Sequence, residues 1–192
     1  MKRRMILRFF IIAMGLLTMT HVYSQKSAPT EPMSQGSWVI AVDAGPGTHI
    51  FGNGFGFGPG FKVFVENGTW QLGPGVLTMG GEIGFSFFSY HWNVLDTRYN
   101  ESWFNYMFGA RSAYHYGWGV KGLDTYGGIP LGIGFSAHHY DNFAGYKGYS
   151  AIYPYLGLFV GSSYFFNQHI GINGELGYNV TYANLGVIFK IR

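Results

Sequence analysis

The chain has 192 residues, with 12 Lys and Arg against 9 Asp and Glu, no Cys, 31 Gly and 20% aromatic residues. Zero Cys excludes a disulfide framework, a thiolate metal site and a lipid-modified cysteine anchor. Glycine at this density usually signals disorder, but disordered segments are poor in the aromatics that abound here, so a packed fold is expected.

Lys2, Arg3, Arg4 and Arg8 precede an apolar run from Phe9 to Met19 and a more polar stretch from Thr20 to Gln25. That order is expected of a cleaved Sec-type signal peptide over residues 1–24, with Val22 and Ser24 supplying the small residues before the cut. The apolar run is about half the roughly 20 residues that a spanning helix needs. Four cations leave with the signal, so eight face nine anions in the mature part and the net charge becomes about −1. The sequence pI near 9.0 is thus a property of the precursor, and nucleic acid is not an expected partner.

Residues 25–35, with Pro29 and Pro32, are expected to form a flexible periplasmic lead-in, and residues 36–192 the folded domain. Alternation of apolar and small or polar residues, with frequent Gly, then marks eight strands. Trp38, Ile40 and Val42 alternate with Ser37, Ala41 and Asp43; Phe61, Val63 and Val65 alternate with Lys62 and Glu66. Asn67-Gly68 follows as a type I′ hairpin signal. The third strand sets Leu77, Met79, Ile83, Phe85 and Phe87 against Thr78, Gly80, Glu82, Gly84 and Ser86. The fourth sets Phe104, Tyr106, Phe108, Tyr114, Tyr116 and Trp118 against Asn105, Gly109, Arg111 and His115. In the fifth, Ile129, Leu131, Ile133 and Phe135 oppose Gly132, Gly134, Ser136 and His138; in the sixth, Leu156, Leu158 and Val160 oppose Tyr155, Gly157, Phe159 and Gly161. Ile170, Ile172, Leu176 and Tyr178 oppose Gly171, Asn173, Glu175 and Gly177 in the seventh. The eighth sets Leu185, Val187, Phe189 and Ile191 against Asn184, Gly186, Lys190 and Arg192, with Ile188 the one exception.

The charges Asp43, Lys62, Glu66, Glu82, Arg111, Glu175, Lys190 and Arg192 all fall on the small-residue face, and the other face is wholly apolar. A soluble barrel turns its apolar face inward, whereas a membrane barrel reverses this. The expected fold is therefore all-β, an eight-stranded antiparallel up-and-down transmembrane β-barrel, with those eight charges forming a lumen ion network. Buried ions need partners, and a loop centred near Asp96 and Thr97 would set Glu82 directly opposite Arg111 as the network's centre. Trp38, Trp92, Trp103, Trp118, Tyr126, Tyr153, Tyr164 and Tyr178 stand near strand ends, where rings suit the headgroup level.

The tail from Tyr153 to Arg192 and the Gly-aromatic texture from Gly56 to Phe88 resemble small outer-membrane β-barrel domain proteins of Gram-negative bacteria, notably of Bacteroidetes type. That resemblance implies an outer-membrane location, with membrane lipids and the barrel-assembly machinery as partners. It implies no activity, and Phe189 takes the place of the family's terminal aromatic.

Ser136, His138, His139 and Asp141 could make an acyl-transfer site at a barrel rim, since His can activate Ser. Their order and spacing match no lipid A-modifying motif, and polar residues marking a wet loop are the favoured explanation. Adjacent imidazoles on a strand point to opposite faces, which makes His138 and His139 a poor metal chelate. The glycine-rich run Gly52 to Gly60 lacks the helix and Lys of a phosphate-binding loop. Asn67, Asn100 and Asn179 head sequons that turn preference accounts for. No catalytic residue, cofactor or metal is expected. The leading reading is a non-enzymatic barrel with a structural or surface-interaction role; a narrow pore or binder for small or hydrophobic solutes comes next, then a lipid A-modifying enzyme. Eight strands leave an interior only wide enough for side chains, which disfavours a broad pore. With the amino terminus periplasmic, the connections Pro46–Gly56, Ser89–Ser102, His139–Ser150 and Asn179–Thr181 would face outward, toward an unidentified extracellular partner.

Overall fold

The computed structural model describes residues 33–47, 58–94, 97–141, 148, 150–178 and 180–191. The signal peptide and residues 25–32 of the lead-in lie outside the described residues.

Period-two alternation is realised as strands β1 (Trp38–Pro46), β2 (Pro59–Leu72), β3 (Gly75–Val94), β4 (Thr97–Tyr116), β5 (Leu123–Asp141), β6 (Ser150–Leu156), β7 (Leu158–Phe165), β8 (Ile170–Tyr178) and β9 (Ala183–Lys190). β1 to β6 pair antiparallel in chain order, β7 pairs with β5 and β8, β8 with β9, and β1 with β9 closes the ring. β6 and β7 are one wall strand interrupted at Gly157, so the barrel has eight strands. The interruption has a local cause: Gly157 donates to the Pro130 carbonyl at 3.1 Å, and Pro130 has no N–H to return.

The two faces differ as a membrane wall requires. Ile83, Leu158 and Leu185 point outward with 67%, 69% and 75% of their surface exposed. Asp43, Lys62, Glu66, Glu82, Arg111 and Glu175 point inward and are at most 4% exposed. Trp38, Tyr164 and Tyr178 are exposed on the outer wall and Trp118 in the turn after β4. Trp103 and Tyr126 are instead buried inside and Tyr153 is half-buried, because each shares the inward parity of its strand. Two of these rings lie over cross-strand glycines: a Cβ at Gly161 would meet the Tyr126 ring at 2.3 Å and one at Gly134 the Tyr153 ring at 2.4 Å. The interleaving of Gly with aromatics thus serves close cross-strand packing.

Three boundaries differ from the sequence expectation. Asn67-Gly68 is not a hairpin turn: both residues lie in β2, opposite Met79 and Thr78, and the chain reverses between Leu72 and Gly75 with Gly73 at φ +57°. Gly68 instead borders a register shift against β3, and on the other side its N–H and carbonyl bond to the segment before β1. Ser89–Val94, Thr97–Ser102 and His139–Asp141 are strand rather than loop, because the β3–β4 register continues to Val94 opposite Thr97 and the β4–β5 register to Asn100 opposite Asp141. That hairpin turns one residue earlier than expected, so Glu82 faces Gly109 and Arg111 faces Gly80. The offset of two keeps both side chains inside. β3, β4 and β5, at 20, 20 and 19 residues, are twice as long as β1, β8 and β9 and rise beyond the others as a crest opposite the terminal end.

Candidate functional site: the filled lumen

The middle of the lumen is organised by Arg111 of β4. Its Nε donates to Glu66, its Nη1 to Glu82 Oε2 at 3.1 Å and its Nη2 to Glu175 Oε2 at 3.0 Å. Its guanidinium carbon lies 3.8 Å from the centroid of Phe64 and 4.0 Å from that of Phe159, so two rings cover its faces while three carboxylates meet its edges. All five donors of an Arg side chain lie in its plane, which makes edges ionic and faces aromatic.

Around this hub each carboxylate has further partners. Glu66 Oε2 accepts from Thr78 Oγ1 at 2.8 Å and lies 2.8 Å from His115 Nε2; the other imidazole nitrogen lies 2.7 Å from Asp124. The His115 ring stacks on Tyr126 at 4.9 Å. Glu82 accepts from the Tyr155 hydroxyl at 3.0 Å. Lys62 pairs with Glu175, which also accepts from Tyr126 at 3.3 Å. Asp43 accepts from Asn173 at 2.9 Å, and the Asn184 amide, turned to donate to Asp43, accepts from Lys62 at 3.2 Å. Gly186 leaves the space Asp43 needs, since a Cβ there would lie 2.2 Å from its Oδ1.

Of the eight charges expected in the network, Glu66, Glu82, Arg111, Glu175 and Lys62 are in direct contact, and Asp43 joins them through two amides. Lys190 stands half-buried at the terminal mouth, within electrostatic reach of Asp124, and Arg192 lies outside the described residues. The sequence reading left out His115, Asp124, Tyr126, Tyr155 and Asn173. Parity could have found them, since His115, Tyr155 and Asn173 already stood on the inward face.

Ser136 and His138 share the inward face of β5, but two steps along an extended strand separate them by about 6.5 Å. His138 stacks on Trp103 at 3.6 Å, with its Nε2 2.5 Å from Glu101, and Ser136 Oγ has no hydrogen-bond partner among the described residues. No Ser–His contact of the kind a nucleophile needs is formed. His139 and Asp141 lie on β5 opposite Ser102 and Asn100. Among the described residues no group of three or more His, Cys, Asp or Glu is placed to hold a metal ion.

Closed ring, apolar exterior and charged interior together define an eight-stranded up-and-down barrel of the transmembrane type. Among solved structures the chain is similar to a de novo designed transmembrane β-barrel, with a TM-score of 0.51 at 12% identity over 83% of this chain and 98% of that one. It is also similar to Neisserial surface protein A (TM-score 0.45, 15% identity, 81% and 94% covered). A third similar structure is the outer membrane protein OprG from Pseudomonas aeruginosa (TM-score 0.44, 14% identity, 83% and 98% covered). No protein-family model and no curated protein matches the chain.

Proposed function

We propose that this chain is a non-enzymatic outer-membrane barrel of a Gram-negative, Bacteroidetes-type bacterium, in which the wall and lumen form a rigid support and the crest makes surface contacts. The observation that carries this reading is the hub at Arg111. Its guanidinium, three carboxylates and the rings of Phe64 and Phe159 occupy mid-height of the lumen, where a conducting barrel needs water. A site for chemistry would need a nucleophile beside its base, and Ser136 and His138 are not so arranged.

The crest supports the second half of the reading. A spanning strand needs about 9–11 residues, which β1, β8 and β9 approximate, so the additional length of β3, β4 and β5 stands beyond the hydrocarbon. With the described termini at the periplasmic end, that crest projects from the cell.

Two measurements test the reading. The purified barrel in planar bilayers is expected to give no discrete conductance steps; steady wild-type conductance would replace the support role with a narrow pore. An epitope inserted between Val94 and Thr97 is expected to be bound by antibody on intact cells, and binding only after lysis would reverse the orientation.

A further inference from the structure

Three features of the sequence are the Asn67-Gly68 pair, the break in alternation at Ile188, and the lead-in before the first strand. The structure joins them at the terminal end of the lumen. Met33 is buried in one cluster with Val39, Ala41, Phe64, Val76, Phe165 and Ile188, all inward-facing wall residues. Ile188 is therefore not an error in the pattern but part of an apolar socket.

The segment from Met33 to Ser37 is tied to that socket by a compact set of bonds. Ser37 Oγ lies 3.3 Å from the Met33 sulfur and donates to the Ser34 carbonyl at 2.5 Å, which bends the segment back over the mouth. Gly36, at φ +84°, donates to the Gly68 carbonyl at 2.7 Å, and the Gly68 N–H donates to Ser37 O at 2.9 Å. Asn67 Nδ2 donates to the same Ser37 carbonyl at 3.2 Å, and Gln35 Nε2 to Thr69 O at 3.2 Å. Gly68 has to be glycine for this docking, because a Cβ there would lie 2.2 Å from Ser34 O. Pairing of β2 with β1 ends at Asn67 opposite Trp38, which leaves the Gly68 backbone groups to the segment, and the register shift against β3 leaves Thr69, whose carbonyl receives Gln35, without a register partner in β3.

We propose that Met33–Ser37 is a latch that stoppers the terminal mouth of the lumen, with Met33 as the plug and Asn67-Gly68 as its catch. The socket adjoins the row Glu66, His115 and Asp124, since Val39 pairs with Glu66 and Val76 with His115, and Glu66 leads on to the Arg111 hub. The latch keeps water and ions on the terminal side away from that carboxylate–imidazole row. It is held by backbone and amide side-chain bonds to β2 alone and by Met33 in the socket, so it can be lifted without opening the wall. The lumen thus has two stoppers, one belonging to the wall and one carried by the chain that leads into it.

The test uses the full chain, which has no native Cys, with a single thiol placed at Val76 in the socket. Folded Val76→Cys protein is expected to react slowly with a small water-soluble methanethiosulfonate. Adding Met33→Gly or Gly68→Ala is expected to speed the reaction at least tenfold. Met33→Gly and Ser37→Ala alter no wall residue, and heat-modifiable gel mobility verifies that each variant is folded. A thiol at the exposed position 121, made by Lys121→Cys, should label at one rate in every background. Socket rates within twofold of the parent in both Met33→Gly and Ser37→Ala would overturn the latch, as would equal acceleration at positions 76 and 121, which marks general loosening.

Discussion

At Arg111 the lumen is closed by three carboxylates converging on one guanidinium, whereas at the terminal mouth it is closed by Met33 seated among Val39, Phe64, Val76, Phe165 and Ile188. Phe64 belongs to both layers, covering one face of the guanidinium and packing in the apolar cluster. The layers differ in how their parts depend on one another. Removing an apolar side chain costs what that side chain contributed, but removing one member of a buried ionic cluster also leaves the others uncompensated.

Arg111→Met should therefore have the largest effect, a loss of about 3–5 kcal/mol, because Glu66, Glu82 and Glu175 lose their shared cation. Urea unfolding from lipid vesicles, followed by tryptophan fluorescence, measures it. Replacing those three carboxylates by Gln in the same protein should restore most of the loss. A single variant that loses less than about 1 kcal/mol would show that the cluster does not hold the barrel together. Met33→Ala should cost about 2–3 kcal/mol by the same measurement, and neutralising Glu66 should return none of it. The contrast between a rescuable and a non-rescuable loss is what separates the two layers.

How much of this was legible follows from parity. Arg111, Glu66, Glu82 and Glu175 were placed inside because a strand's side chains alternate, and that inference survives the turn falling one residue earlier than expected between Val94 and Thr97. What alternation does not supply is the angle around the ring. Glu175 on β8 meets Arg111 on β4 only because the sheet closes, while Glu66 on β2 reaches Arg111 across Gly80 of β3, which pairs with both. For the same reason Glu82–Arg111 was the one contact foreseen, being local to one hairpin. The Asn67-Gly68 signal misled because its preference for positive φ is a local tendency, and here β1 pairs Asn67 with Trp38 while Gly68 receives the latch. Trp103 and Tyr126 misled for the opposite reason: ring chemistry suggested the headgroup level, and parity, which places them inside, is the stronger constraint.

Tyr155→Phe sharpens the account of the hub at a smaller scale. The hydroxyl donates to Glu82 while the ring packs with Met107 and Val180, so the substitution removes the bond and keeps the packing. A loss of about 1.5 kcal/mol is expected for a hydrogen bond to a charged acceptor. A silent Tyr155→Phe would show that this hydroxyl does not help to hold Glu82 in the cluster.

Thr78→Val carries the smallest expected effect and tests whether the cluster has a hub at all. The Thr78 hydroxyl donates to Glu66 Oε2, and the backbone N–H of Ala113 lies 3.2 Å from the same oxygen of Thr78. Valine keeps the branch at Cβ and nearly the volume but removes the hydroxyl. Glu66 retains the Arg111 and His115 contacts, so its charge stays compensated and the expected cost is only about 1 kcal/mol. A cost equal to that of Arg111→Met would mean that every link matters alike and that compensation of charge is not what orders the lumen. A cost near the expected value, beside the much larger one at Arg111, places the stabilisation at the guanidinium, where β2, β3 and β4 are joined to β8 across the ring.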